Sequence, residues 1–397
     1  MTILLNWDYH RLDLTEYLLD FSDEVNLVFL FDFQATEVPD YMKKNISKVL
    51  YWSNFKSPYQ LLRSVRPDKV VFNDIEAFNQ LALNIAAKNS GIPTYVLQHG
   101  LRGDFEIRDA LSISKLQPVT FSHTSKWSLQ FFLRSLQLKN SRWLPSIVKF
   151  LYQRKKLDLT TALFKNQFAL READLYIEFS EENKGYFQTR DGVKDQKFLL
   201  TGNPTLDQYL VYFNSHLPPG PAAGYFLLID CPFSDTALLD GKKMSLADKN
   251  SYLNKLNTIA QYNGKRLVVK LHPLTYHSEG LLNDENIQYL TQVDVKPWLA
   301  GAAGVFFVHF SSMTPAILPF KPSIYFDVGF KEHTVLFSKL SVTIYHLASV
   351  EASEIKVGDS NLVDEASLIR FLYKTDGKAA QRIKEILCKD MSSYEVY

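Results

Sequence analysis

The stretch Arg266-Leu267-Val268-Val269-Lys270-Leu271-His272-Pro273 reads as a short strand, apolar on both faces, that ends in a cationic and polar tip. Apolar residues at both parities suit a strand covered on both sides, as in a parallel sheet packed between helices. Pro273 ends the run and biases His272 towards an extended backbone. Three more runs of this kind share the second half of the chain: Tyr225 to Ile229, Val305 to Val308 and Ser323 to Phe326, separated by helix-length segments. Strands alternating with helices predict a doubly wound α/β domain.

The first half repeats the pattern with Thr2 to Leu5, Val25 to Phe31, Lys69 to Phe72 and Thr94 to Leu97. Between the last two, Ile75 to Ser90 carries apolar residues at helical spacing and runs into Gly91-Ile92-Pro93, a stop signal. Two such series in 397 residues predict an α/β fold of two Rossmann-like doubly wound domains facing a cleft. The expected boundaries are 1–213 for an N-terminal domain and 222–380 for a C-terminal one, with a tail at 381–397. The segment Asn214 to Pro221 is the expected linker, because its prolines block helix and ladder continuation.

A 46% apolar content supplies ample core, and a net charge of +1 removes any whole-chain electrostatic case for nucleic acid. Cys231 and Cys388 stand far apart without metal-ligand spacing, so a disulfide framework or structural zinc site has no support and a reducing cytoplasm fits. Met1 to Asp8 lacks the basic-then-apolar order of a secretory signal. The longest apolar runs have strand length, not membrane-span length.

In open α/β sheets ligands bind beyond the carboxyl ends of the strands, so the residues that follow each run carry the functional signal. After one strand come Lys270 and His272-Pro273; after the next, His309-Phe310 leads into Ser311-Ser312 at the start of an expected helix. Alone, the first is an ordinary turn histidine and the second an ordinary serine cap. Together, at the ends of consecutive strands of one sheet, they point to a phosphate-bearing ligand. In the first half, Gln98-His99-Gly100-Leu101-Arg102-Gly103-Asp104-Phe105-Glu106 follows a strand and offers His99, Asp104 and Glu106 as general bases. Asn73-Asp74 would lie beside this loop, although Asp74 reads equally well as a helix cap. Further on, Thr201-Gly202-Asn203-Pro204 forms a tight turn after another apolar run.

With Gln98-His99-Gly100, Thr201-Gly202-Asn203-Pro204 followed by Asp207, Lys270-Leu271-His272-Pro273 and Ser311-Ser312 in this order, the chain resembles the GT-B glycosyltransferases. The nearest likeness is to bacterial surface-polysaccharide enzymes with HP and SS motifs: sialyltransferases, polysialyltransferases and Kdo transferases, and the related CDP-glycerol-type polyol-phosphate transferases. The resemblance implies a nucleotide-sugar donor, with CMP leading, and no metal or separate cofactor. It places Gly202, Asn203, Lys270, His272, Pro273, Ser311 and Ser312 on the donor. It places Asn73, Asp74, Gln98 and Gly100 on a glycan or glycolipid acceptor. His99 is the first choice of base, with Asp104 and Glu106 as alternatives, and His272 meets the leaving phosphate. The acidic Asp/Glu pair of sialyltransferases is not cleanly present. The expected activity is transfer of a CMP-activated acidic sugar to capsule or lipopolysaccharide. CDP-polyol phosphotransfer, UDP-sugar 2-epimerisation and a non-catalytic nucleotide-sugar-binding role are the alternatives.

Between Asp109 and Asp158 the chain has no acidic residue, yet it carries Lys115, Lys126, Arg134, Lys139, Arg142, Lys149, Arg154, Lys155 and Lys156 among several aromatics. Such a segment, 110–157, suits peripheral contact with the anionic inner face of a membrane and a lipid-linked acceptor. A helical face packed on its domain through the aromatics explains it equally well.

Overall fold

The computed structural model describes residues 1–7, 12–19, 25–31, 48–99, 123–157, 159–215, 224–231, 244–272, 275, 279–291, 294–311, 313–329, 331–356 and 362–389. The chain forms two compact units. One comprises residues 1–204 with the stretch from Lys378 onward, and the other Thr205–Gly377.

In the first unit, strands β1 (Thr2–Asn6), β2 (Asn26–Leu30), β3 (Lys48–Leu50), β4 (Lys69–Phe72), β5 (Thr94–Leu97), β6 (Leu175–Glu178) and β7 (Phe198–Leu200) lie in the order β3-β2-β1-β4-β5-β6-β7. All neighbours pair in parallel. Alternate residues feed two cores, as the period of two in a strand requires. Leu4, Val70, Phe72, Val96 and Tyr176 pack towards the helix Phe78–Asn89 and the rings of Phe131, Phe132 and Phe150. Ile3, Leu5, Val71, Tyr95 and Ile177 pack with Ile383 and Leu387 on the other face.

Those last two residues belong to the helix Ala379–Cys388, whose residues 381–388 fall in what the sequence pattern presents as a tail. Its apolar stripe enters the core of the first unit. Lys69, 4% exposed, fastens it there by donating from Nζ to the Leu387 carbonyl at 2.7 Å, and to that of Lys389.

The second unit carries β8 (Tyr225–Ile229), β9 (Arg266–Lys270), β10 (Ile287–Leu290), β11 (Val305–Phe307), β12 (Ser323–Asp327) and β13 (Thr343–His346) in the order β10-β9-β8-β11-β12-β13. These strands too are parallel throughout. The helix Leu246–Tyr262 lays Leu253, Leu256 and Ile259 against Phe226, Leu228 and Val269. The helix Pro204–Ser215, expected in the first domain, holds Phe213 stacked on Phe320 at 4.5 Å inside the second unit. Residues 216–221 of the expected linker lie outside the described residues.

Two Rossmann-like sheets are thus present as the pattern predicts. Neither Cys231 nor Cys388 is in a disulfide. No helix among the described residues is long and apolar enough to cross a membrane.

Candidate functional site

In the second unit, β9 delivers Lys270 and His272 to the carboxyl edge of the sheet, both half-buried. Lys270 Nζ donates to the Leu271 carbonyl at 3.0 Å. The His272 carbonyl accepts from both the backbone N–H and the hydroxyl of Thr275, each at 2.8 Å, and Thr275 is fully buried. Pro273 lies outside the described residues.

The neighbouring β8 ends in Asp230, whose carboxylate receives Lys249 Nζ and the Tyr252 hydroxyl, each at 2.6 Å and all buried. That carboxylate is engaged in holding the helix Leu246–Tyr262. One strand further, β11 continues through Val308 to His309, Phe310 and Ser311. The Ser311 N–H donates to the Thr314 hydroxyl at 3.0 Å. The helix that follows, Met313–Ile317, has five residues, which leaves little aligned dipole to attract an anion. The expected anion site there rests on the Ser311 hydroxyl more than on a helix terminus. Ser312 lies outside the described residues.

His333, on the helix Lys331–Lys339, is a component that sequence pattern does not reveal. Its Nδ1 accepts the Phe310 N–H at 3.1 Å, and its ring centroid lies 4.2 Å from that of His309. An accepting Nδ1 places the proton of a neutral imidazole on Nε2. Burial, reinforced by His272, lowers the His309 pKa to about 3. Burial and His309 push that of His333 well below its usual range. Both rings are uncharged at neutral pH, and among the described residues no cluster of His, Cys, Asp or Glu could hold a metal ion.

In the first unit the expected acceptor residues divide by role. Asp74, 4% exposed, takes a two-bond fork from Arg190 at 2.9 and 2.6 Å. Arg190 is fully buried and also engages Glu76 and Asp191, which in turn binds Arg171. Gln98, 1% exposed, accepts the Phe179 N–H at 2.7 Å and so clamps the exits of β5 and β6 together. Asn73 is half-buried and accepts from Gln80.

His99 emerges half-buried just above this layer, with its ring edge-to-face to Trp7 at 6.0 Å. On the neighbouring strand Glu178 stands at the end of β6, fully buried, a carboxyl group that the sequence pattern presents only as part of a strand. Gly202 and Asn203 also belong to this unit. The Gly202 N–H donates to the Phe179 carbonyl at 3.1 Å, and its φ of +90° favours a residue without Cβ. Gly100, Asp104 and Glu106 lie outside the described residues. A cavity of about 610 Å³ lined by Tyr59, Leu62, Arg63, Arg66, Ser90 and Ile92 opens at the amino ends of β4 and β5, the opposite edge from these residues.

No family model and no curated protein matches the chain. Solved structures do. The wall teichoic acid polymerase TagF is similar over 99% of this chain and 89% of its own, with a TM-score of 0.54 at 15% identity. A TagF variant soaked with CDPG gives a TM-score of 0.55 at the same identity and coverage. The calicheamicin glycosyltransferase CalG4 gives 0.53 at 12% identity, over 99% of this chain and 98% of its own. The fold is that of the GT-B glycosyltransferases. Within each half of this GT-B fold, Asn73, His99, His272, His309 and Ser311 follow the carboxyl ends of strands, where a Rossmann-like sheet receives its ligand.

Proposed function

We propose that the chain is a glycosyltransferase that moves a CMP-activated acidic sugar, such as sialic acid, a related nonulosonate or Kdo, onto a surface-glycan hydroxyl. The observation that carries this reading is the placement of Lys270, His272, His309 and Ser311 at the ends of β9 and β11 in a GT-B fold. Imidazole N–H groups, a hydroxyl and one ammonium are donors suited to a phosphate whose charge grows as the glycosidic C–O bond breaks.

In this mechanism His99 accepts the proton of the acceptor hydroxyl, and the hydroxyl oxygen attacks the anomeric carbon. The electron pair of the broken bond leaves on the phosphate of CMP, met by His272 and Lys270 in place of a metal ion. Asp104 and Glu106 are the alternative bases. Asn73, Asp74, Gln98 and Gly100 are the residues assigned to the acceptor, Gln98 and Asp74 acting from the buried layer. Gly202 and Asn203 are the further residues assigned to the donor.

A second reading, transfer of a polyol phosphate from a CDP-linked donor, draws support from the likeness to TagF. The two reactions differ in the bond formed. Purified protein is incubated with CMP-sialic acid, CMP-Kdo or CDP-glycerol and a glycan acceptor; a new glycoside supports the first and a new phosphodiester the second. Absence of CMP release from every donor would overturn both.

The acceptor is proposed to be lipid-linked and reached at an anionic membrane surface. Phe131, Phe132 and Phe150 are buried and Trp127 stacks on Phe131, so much of the aromatic content of the basic segment is packing. The helix Leu144–Lys156 nevertheless exposes Leu144, Val148 and Tyr152 by 53%, 56% and 58% at four-residue steps. Exposed Lys149, Lys155 and Lys156 flank them. Apolar residues between cations suit the headgroup region of an anionic bilayer.

A further inference from the structure

We propose that the cavity at the amino ends of β4 and β5 is a second ligand site, built for a phosphate ester carried on an apolar body. It lies at the sheet edge opposite Asn73 and His99, so it is independent of the donor and base assignments. An anionic lipid head group and a free phosphate ester are the two sources of that chemistry. The lipid source extends the proposed membrane contact to a defined pocket.

The volume of about 610 Å³ is that of a small-molecule site, for which roughly 300–1,000 Å³ is usual. Leu62, Ile92 and Tyr59 form its apolar wall. The Tyr59 ring is fixed at its tip, where the hydroxyl donates to the Ser135 carbonyl and accepts from Asn89 Nδ2, both at 2.8 Å. Asn89 Nδ2 also donates to Asn140 Oδ1 at 3.0 Å, so the wall is held in place without a ligand.

Arg63 and Arg66 line the same cavity from the last turn and the C-cap of the helix Pro58–Val65. Both are exposed, and neither forms an ion pair among the described residues. Arg63 Nε donates to the Tyr59 carbonyl at 3.3 Å. The guanidinium keeps further N–H donors, and a neutral carbonyl leaves its charge intact. Arg66 adopts φ +50° and ψ +55°, a left-handed backbone that glycine takes most easily. Pro67 follows it, and a residue before proline is biased towards extended backbone. Glycine would close this helix with less strain, so the arginine side chain is what needs explaining.

The carbonyl end of a helix attracts a cation in its last turn. It does not account for the further cations on the rim. Lys139 and Arg142 stand three residues apart in the 3₁₀ turn Leu138–Trp143, a spacing that puts both side chains on one side. Lys139 Nζ donates to the Asn89 carbonyl at 2.6 Å, next to the cavity-lining Ser90, and the Arg142 guanidinium lies 5.3 Å from the Trp143 ring. Residues 51–67, 78–93 and 123–157 contain no Asp or Glu. Asp68 and Asp174, before β4 and β6, are engaged by the Thr2 N–H and by Lys88 with the Thr94 N–H. Two guanidiniums match the double charge of a phosphate monoester better than the single charge of a carboxylate, and their forks fit its oxygens. Exposed Leu144 follows Trp143 directly, so apolar and cationic groups adjoin at the rim.

The test is calorimetry of the full-length protein with phosphatidic acid of short chain length below its micellar concentration, phenyl phosphate, inorganic phosphate and decanoate. Wild-type protein is expected to bind an ester more tightly than inorganic phosphate. Phosphatidic acid well ahead of phenyl phosphate identifies the lipid source, and equal affinity identifies the free ester. Arg66→Gly, which suits the left-handed backbone and removes the guanidinium, weakens ester binding about tenfold or more, as loss of a hydrogen bond to a charged group does. Arg63→Gln acts alike, whereas Ile92→Gln weakens the esters several-fold and spares inorganic phosphate.

Unchanged affinity in both arginine variants, equal affinity for decanoate, inorganic phosphate as tight as the esters, or no ester binding by the wild type each overturns the site and leaves the membrane reading standing. Wild-type protein that binds phosphatidic acid but does not sediment with anionic vesicles upholds the site and removes the membrane reading.

Discussion

Arg190 reaches Asp74 across 116 residues of sequence and binds both its carboxylate oxygens, with Nη1 and Nη2 at 2.9 and 2.6 Å. The guanidinium is fully buried, so its charge is held by Asp74, Asp191 and Glu76 together. Removing Asp74 takes away both hydrogen bonds of the fork and leaves two guanidinium N–H groups out of water without those acceptors. Asp74→Ala is expected to lower stability by about 3–5 kcal/mol, the usual penalty for breaking a buried ion pair. A denaturant-midpoint measurement checks it, and a midpoint equal to wild type would show the network to be dispensable.

Lys69 and the helix Ala379–Cys388 make the first unit discontinuous in sequence. Ending the chain at Gly377 would uncover the face formed by Ile3, Leu5 and Tyr95 and strand the buried Lys69 ammonium. The first unit of such a truncation is expected to lose hydrogen-exchange protection in β1 and β4, whereas β8 and β11 of the second unit keep theirs. Equal protection in both units would contradict the packing described.

His309 and His333 give the second unit a pH dependence whose sign follows from linkage. Their ordinary pKa is 6.5, and in the folded state it drops to about 3 for His309 and well below 6.5 for His333. The unfolded chain therefore binds more protons than the folded one within that window, and stability rises with pH there. The contribution is complete above about pH 6.5 and is lost progressively as pH falls towards 3. His333→Phe is expected to flatten the slope of the urea midpoint between these limits; an unaltered slope would mean that His333 titrates normally in the fold.

His99 and His272 are predicted to fail differently. As the proposed base, His99 contributes a proton-transfer term of about 10²- to 10⁴-fold, so His99→Ala should reduce kcat with little change in donor affinity. His272→Ala should depress both. A His99→Ala enzyme that binds donor poorly but turns over normally would remove His99 from the chemistry.

The exposed face of the helix Leu144–Lys156 is tested with vesicles. Wild-type protein should sediment with anionic phosphatidylserine vesicles and release in high salt, and Lys149→Glu/Lys155→Glu/Lys156→Glu should not sediment, given about 1 kcal/mol per basic residue near such a surface. Equal sedimentation of both proteins would assign the face to solvent.

The central strands were legible because their signal is local. Runs such as Val268 to Lys270 and Val70 to Phe72 are apolar on both parities whatever surrounds them, and their carboxyl ends name the loops where ligands bind. Three of the four edge strands, β3, β10 and β13, were not, since one side of an edge strand stays exposed and its composition drifts towards that of a loop. The same reasoning separates the site residues. His272 and Ser311 announce themselves by following a strand, whereas His333 and Arg190 acquire meaning only from partners 23 and 116 residues away.

Read alone, then, the amino-acid order determines two parallel sheets and the loops at their tips, through hydrophobic periodicity that each segment carries by itself. Tertiary structure decides that the C-terminal helix returns to the first unit, that Asp74 is consumed by Arg190, and that two histidines meet behind Ser311. These are contacts between distant parts of the chain, and their energies exist only once the sheets have brought the partners within hydrogen-bonding reach.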